Sequence, residues 1–376
     1  MARQSKPAAP PPANRGQATI LDVARRARVS PASVSRVLNS SARVSEDVTR
    51  AVLEAAAGLD FRPNLLGRNL RASSTQALGV VLPTLTHPVF GECLQGLEAA
   101  ARDGGYSVML ATTGYDPAQE DGAIERLLRH RVDGLVLTVA DAAKSRVLDK
   151  LDREGVPYVL VYNQLARNAA RQRPTVSVDN RSAARQMVEQ LIALGHRSIV
   201  MVAGRFRESD RARLRYRGYA DAMRAAGLDA QAPLELPFMA ADVRTELQEA
   251  LTRRQRPTAL FCSSDQLAMR VMRDLARLGR RVPDHVSVAG FDGVLLGALT
   301  APTLATVVQP SQQIAAAAVD LLLGILAGDR YRTPAVLQHT LRVGESIAPP
   351  PTHASSPAAH APAAAVAVPA TKPDPP

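Results

Sequence analysis

The 376-residue sequence predicts two folded units joined by a polar connector: a short three-helix unit near the N-terminus and a large α/β body built from two parallel-sheet lobes. Three observations predict it. Residues 18–61 carry apolar residues at helical spacing between hydroxyl caps, whereas residues 76–348 alternate short β-branched runs with amphipathic helices. The runs are apolar throughout, the mark of strands covered on both faces of a parallel sheet. About eleven of them exceed what one ordinary open sheet holds, which predicts two lobes.

The charge is unevenly placed. The chain carries 46 Lys and Arg against 35 Asp and Glu, net +11. Residues 1–75 hold 12 of the bases and 5 of the acids, +7, so the rest of the chain, with 34 and 30, carries only +4. A small basic segment on a nearly balanced body points to a polyanionic partner. No apolar run approaches the roughly eighteen residues of a membrane span, so no membrane partner is expected. Met1 to Gly16 lacks the apolar core of a secretory signal. Cys93 and Cys262 stand far apart without metal-ligand spacing, which fits packing roles in a reducing cytoplasm. With no Trp and 3% aromatic residues, a stacking site must use Phe or Tyr. Residues 1–17 and 349–376 are Pro/Ala-rich without apolar periodicity and are expected to be disordered.

The first helix opens on Thr19-Ile20-Leu21-Asp22, a hydroxyl N-cap with an acid three residues on, close to a capping box; Ile20, Val23, Ala24 and Ala27 form its apolar face. Small Ala24 lets a second helix cross closely. That helix begins at Ser30, with Pro31 at the first helical position, where its missing N–H costs nothing. Val34, Val37 and Leu38 face inward. The opposite side shows Pro31, Ala32, Ser33, Ser35, Arg36 and Asn39, short or hydrogen-bonding groups beside one long cation, the mixture a helix needs to lie in a major groove and read base edges. Arg36 can contact guanine bidentately, and the serines with the helix N-terminus can hold phosphates. A third helix is capped by Ser45, has Glu46 and Asp47 in its first turn, and turns Val48, Val52, Ala55, Ala56 and Leu59 toward the core.

Thr19 to Asn39, TILDVARRARVSPASVSRVLN, closely resembles the headpiece signature of the LacI/GalR (lactose-repressor) family of transcriptional regulators. The resemblance implies a helix-turn-helix headpiece over residues 18–61 that contacts double-stranded operator DNA through Thr19, Ser30, Pro31, Ala32, Ser33, Ser35, Arg36, Asn39, Arg43 and Ser45. The family often has Gly or Asn at the turn position of Arg28, where a left-handed backbone is comfortable, so Arg there costs about 1 kcal/mol. Residues 62–75 form the connector. Its start, with Phe61 before it, reads FRPNLLGRNLR and resembles the family's hinge helix, which implies DNA contacts from Asn64, Arg68 and Leu70. Leu70 is then the wedge that enters the central minor groove and kinks the duplex. Two hinges must meet at one site, which implies a homodimer on a pseudo-palindrome. Gly67, where relatives usually carry Ala, lowers helicity by about 0.8–1 kcal/mol.

In the body, strands are expected at 77–82, 106–110, 134–137, 158–161, 198–202, 259–262 and 287–291, with a helix from about Phe90 to Asp103. Ligands of such folds bind beyond the carboxyl ends of the strands. From Gln76 to about Gly344 the chain is similar to the family's effector domain, a periplasmic-binding-protein-like (type I) fold, with the chain crossing between lobes near Ser177, Val307 and Leu337. Carried over by position, the ligand cleft contains Phe90, Arg215, Phe238, Ser264 and Asp292. Rings for stacking, a carboxylate for hydroxyls and a guanidinium for oxygens fit a small polar effector, a sugar or sugar acid. Arg205, Arg207 and the string ESDRARLRYRGY favour an anion, and LPTLTHPVFGE and TTGYDPAQE look like the gluconate-repressor branch. The tail from Pro349 lacks the leucine heptad of tetrameric members, so a dimer is expected.

The expected function is a cytoplasmic, nucleoid-associated transcriptional regulator, a repressor, whose operator affinity an effector controls. Two alternatives share parts of the pattern: a soluble solute-binding protein would need no headpiece, and a ligand-independent regulator no cleft. An enzyme is not expected, and neither a cofactor nor a metal, since no phosphate-binding, nucleophile-elbow or zinc-protease spacing occurs.

Overall fold

The structure is a computed structural model that describes residues 18–39, 44–61, 74–166, 169, 172–329 and 335–351. The chain divides into two compact units, 1–75 and 76–376. Arg43, Asn64, Arg68, Leu70, the side chain of Asn39 and the two terminal arms lie outside the described residues.

The first unit is three helices: α1 (Ile20–Ala27), α2 (Pro31–Asn39) and α3 (Glu46–Ala57). A full capping box starts α1, since Thr19 Oγ1 accepts from Asp22 N while Asp22 accepts from Thr19 N. This satisfies two of the amide donors that a helix start leaves unpaired. Arg28 ends it at φ 55°, ψ 39°, the left-handed conformation that the turn requires. Ser30 starts α2, its hydroxyl accepting from Ser33 N at 3.1 Å. Ser45 departs from expectation: it holds the N-cap position of α3, but its hydroxyl makes no cap bond. Glu46 and Asp47 supply the favourable charge at that helix start instead. Val23, Ala24, Val34, Val52, Ala55 and Ala56 are buried together, with Ile20, Val37, Leu38, Val48 and Leu59 packed around them.

The second unit holds two six-stranded sheets. One lobe contains β1 (Ala77–Leu82), β2 (Ser107–Thr112), β3 (Gly134–Leu137), β4 (Tyr158–Val161), β5 (Thr175–Val178) and β11 (Ala335–Leu337), in the order β11-β5-β4-β3-β1-β2, all parallel. The other contains β6 (Ile199–Gly204), β7 (Leu234–Leu236), β8 (Ala259–Cys262), β9 (Ser287–Asp292), β10 (Ala305–Val308) and β12 (Thr340–Arg342), in the order β12-β10-β9-β8-β6-β7. Only β12 runs antiparallel, on the edge. The chain therefore passes between lobes after β5, after β10 and after β11, as the resemblance implied.

Helices cover the sheets: α4 (Pro88–Asp103), α5 (Glu120–Arg129), α6 (Arg146–Glu154), α7 (Asn180–Ala193), α8 (Asp210–Ala225), α9 (Arg244–Thr252), α10 (Asp265–Arg277) and α11 (Ser311–Leu326). The helix expected from Phe90 begins two residues earlier, because the fixed φ of Pro88 suits the first helical position. The strand expected at 106–110 runs Ser107–Thr112 and forms a sheet edge. Helices α7 and α8 approach so closely that a Cβ on Gly218 would lie 2.1 Å from the carbonyl oxygen of Arg181. Cys93 and Cys262 are free, buried thiols whose ionisation burial suppresses. Among the described residues, no helix is long and apolar enough to cross a membrane.

Candidate ligand cleft and nucleic-acid interface

Parallel strands in both lobes end at the same gap, so the residues that follow them converge there. After β1 come His87, Val89 and Phe90; Tyr115 follows β2 and Tyr162 follows β4. From the other lobe, Ser209, Arg211, Ala212 and Arg215 follow β6, Phe238 follows β7, and Ser263 and Ser264 follow β8. Asp292 ends β9 and Gln309 follows β10. These residues line one cavity.

Its floor is a buried charge network. Arg215 donates to Asn180 Oδ1 at 2.9 Å, to the Ser263 carbonyl at 2.5 Å and to Asp292 Oδ1 at 3.3 Å, with its guanidinium 3.6 Å above the Phe291 ring. Gln309 Nε2 donates to the same Asp292 oxygen at 2.9 Å. Burial pushes the Asp292 carboxyl up to about 7, against the pull of Arg215, and pushes the Arg215 guanidinium down to about 10. His87 faces Asp292 across the gap, its Nε2 3.7 Å from Asp292 Oδ2. Burial, then the charges of Arg215, Arg270 and Arg211, push His87 down to about 3, so the imidazole is neutral at physiological pH.

The walls are aromatic. Phe90 meets Tyr162 edge-on at 5.7 Å and lies 5.5 Å from His87. Tyr115 and Phe238, from opposite lobes, stack at 4.3 Å with planes 5° apart. Three lining residues adopt positive φ without being glycine: Tyr115 at 62°, Tyr162 at 66° and Asp292 at 124°. Such strain persists where surrounding structure holds it, and it clusters at functional sites.

Beside the cavity the lobes are latched through the start of α8. Asp210 accepts from Ala142 N at 3.0 Å and from Asn163 Nδ2 at 2.9 Å, and Arg211 donates to the Val139 carbonyl at 2.9 Å. Arg213 bridges Asp141 at 2.8 Å. Glu120 accepts from Ala140 N, and burial pushes its carboxyl up to about 7.

All five residues expected at the cleft, Phe90, Arg215, Phe238, Ser264 and Asp292, line it. Ser264 also caps α10, its hydroxyl accepting from Leu267 N at 3.3 Å. Sequence reasoning missed His87, Tyr115, Tyr162, Ser209, Arg211 and Gln309. Each follows the carboxyl end of a strand by one to seven residues, the place where ligands of parallel-sheet folds bind, and that position is the only signal of them in the sequence. Arg205 and Arg207 do not line the cavity and instead flank Glu208 at 3.5 and 3.6 Å.

On the headpiece, Pro31, Ala32 and Arg36 are exposed on one side of α2, with Ser33 and Ser35 half-buried beside them, while Val34 is fully buried on the other. Ser30 and Ser33 share a hydroxyl hydrogen bond at 2.9 Å. Thr19 and Ser45, both exposed, stand at the starts of α1 and α3. One long cation with short polar neighbours thus occupies the solvent face of the second helix, the geometry for base-edge contact.

Comparison with known proteins places both units. The chain matches the family "Bacterial regulatory proteins, lacI family" over residues 19–64 and "Periplasmic binding protein-like domain" over 188–347. It is 34% identical over 334 residues to the HTH-type transcriptional regulator GntR of Escherichia coli K12, covering 87% of this chain and 97% of that protein. It is 31% identical over 313 residues to the HTH-type transcriptional repressor CytR of the same organism, covering 83% and 90%. Among solved structures, it resembles the lac repressor dimer bound to operator and the anti-inducer ONPF, with a TM-score of 0.79, 25% identity and coverage of 88% and 99%. It also resembles a complex of the transcriptional regulator CelR with cellobiose, with a TM-score of 0.64, 28% identity and coverage of 88% and 100%.

Proposed function

Since the chain belongs to the lacI family of bacterial regulatory proteins, we propose that it is a cytoplasmic, nucleoid-associated transcriptional repressor whose operator affinity is set by a sugar or sugar acid bound between the two lobes. The observation that carries this reading is a polar, aromatic-walled cleft between lobes in a chain that also bears a reading helix with an exposed Arg36. Relatives named for a ribose operon and for a cellobiose complex support a carbohydrate effector. No enzymatic step is assigned, and no cofactor.

In this reading residues 18–61 bind the operator half-site, 62–75 act as hinge with Leu70 as wedge, and 76–348 bind effector and dimerise. The dimer face includes Leu295, Leu296 and Leu299, exposed at 68%, 51% and 72% on one short turn after β9, and the edge strand β2, whose Leu110 is exposed at 38%. Three exposed leucines within five residues of the turn after β9 support an association surface there. Effector binding shifts the lobes and with them the spacing of the hinges, by as much as its affinities for the two states differ.

Selection of bound sequences from a random DNA pool, followed by mobility-shift titration with sugars and sugar acids, tests this reading. A single pseudo-palindromic site whose occupancy changes with one effector is expected. Equal affinity for all DNA, with and without every effector, overturns it.

A further inference from the structure

Four buried side-chain polar atoms lack a hydrogen-bond partner among the described residues, and three of them meet in the cleft: both ring nitrogens of His87 and Oδ2 of Asp292. Each residue is 3% exposed. Buried polar groups are nearly always paired, so two orphans that face each other across a cavity, His87 Nε2 and Asp292 Oδ2, indicate a missing partner that is itself polar. The two side chains come from opposite lobes. His87 ends the loop between β1 and α4, and its ring rests against Phe90 at 5.5 Å. Asp292 ends β9 and commits its other oxygen to Arg215 and Gln309, which aims Oδ2 toward the imidazole.

The gap of 3.7 Å between Nε2 and Oδ2 is too long for a hydrogen bond. It is the right size for one hydroxyl oxygen seated about 2.8 Å from both atoms. We propose that His87 is a specificity-determining ligand contact which, together with Asp292, clasps a single hydroxyl of an uncharged polyol portion of the effector between the two lobes. This rests on the reading of the cleft as the effector site. The hydroxyl hydrogen goes to the carboxylate, and the imidazole N–H goes to the hydroxyl oxygen. A ligand carboxylate does not fit there, because it would face Asp292; an ammonium would face Arg211 and Arg215. If the effector is a sugar acid, its acidic end lies elsewhere in the cleft. A second link joins the same loop to the far lobe, where Gln266 Nε2 donates to the Thr86 carbonyl at 3.3 Å. Filling the clasp therefore reinforces closure.

The test is calorimetric titration of the full chain with D-ribose, cellobiose and D-gluconate, then with each monodeoxy derivative of the tightest binder. One derivative is expected to bind the wild type about tenfold or more weaker than its parent. His87→Phe should weaken the parent by a similar factor, and that same derivative should lose nothing further on the variant. Multiplicative losses, or a His87→Phe variant that binds the parent as tightly as wild type, overturn the inference alone. Should His87→Phe melt well below wild type without ligand, His87→Asn, which keeps a hydrogen-bonding group, carries the same cycle. Failure of every probe to bind the wild type overturns the effector reading and this clasp with it.

Discussion

Replacing Arg215 by Met separates the cost of lost contacts from the cost of a stranded charge. The variant keeps an unbranched chain in the space of the guanidinium but removes its bonds to Asn180 and the Ser263 carbonyl, its ion pair with Asp292 and its stacking on Phe291. Removing one partner of a buried, hydrogen-bonded pair costs about 3–5 kcal/mol. The pH dependence is the sharper signature. The folded Asp292 carboxyl is raised to about 7, so the folded state holds its proton longer than the unfolded chain does. Stability from this group is therefore greatest in acid and declines as pH climbs from the ordinary carboxylate value to about 7, where the wild-type loss ends. Without Arg215 the folded carboxyl rises further, and the decline continues into alkali at up to about 1.4 kcal/mol per pH unit. Urea denaturation followed by circular dichroism, at about pH 6 and about pH 8.5, should show a gap between wild type and variant that widens by about 2 kcal/mol. A gap that is the same at both pH values refutes the claim that Arg215 holds the Asp292 charge.

Effector affinity should rise about tenfold between about pH 6 and about pH 8, because the clasp needs the Asp292 carboxylate and that group titrates near 7 in the free protein; calorimetry showing a flat profile contradicts this. Gly204→Ala would set a methyl 2.1 Å from the Phe238 ring, which must swing off Tyr115, so effector binding should weaken about fivefold or more while the melting temperature changes little. Unchanged affinity would show that the stacked pair plays no part in binding. Arg36→Ala should cost about 1–3 kcal/mol of discrimination at one operator base pair in competition binding, leaving non-specific affinity nearly intact. Equal loss on all sequences would make Arg36 a phosphate contact. Leu296→Asp combined with Leu299→Asp should yield folded monomers in sedimentation, and a persistent dimer would place the interface elsewhere.

Local patterning accounts for the headpiece. Thr19 with Asp22, Ser30 with Pro31, and the spacing of Val23, Val34 and Val52 mark helix starts and faces through interactions spanning three or four residues, so they are legible in one dimension. Strand identity in the body was legible for the same reason, since both faces are buried and the runs are apolar throughout. Boundaries were less so: Ser107–Thr112 lies on a sheet edge, where half-exposed residues blur the pattern.

What the sequence by itself determined was therefore the set of elements, their caps and faces, and the segregation of positive charge onto the N-terminal segment. The tertiary structure decided which side chains meet. His87 and Asp292 lie more than two hundred positions apart in the chain, and Tyr115 and Phe238 more than a hundred, yet each pair closes across the gap because all four residues stand at or just past the carboxyl ends of strands from the two sheets that border one cavity. Convergence of that kind depends on sheet order and on three passages between lobes, and burial there converts an ordinary histidine into a neutral ring and an ordinary carboxyl into one that titrates near 7. Solvent exclusion is a property of the assembled fold, which no stretch of sequence carries alone.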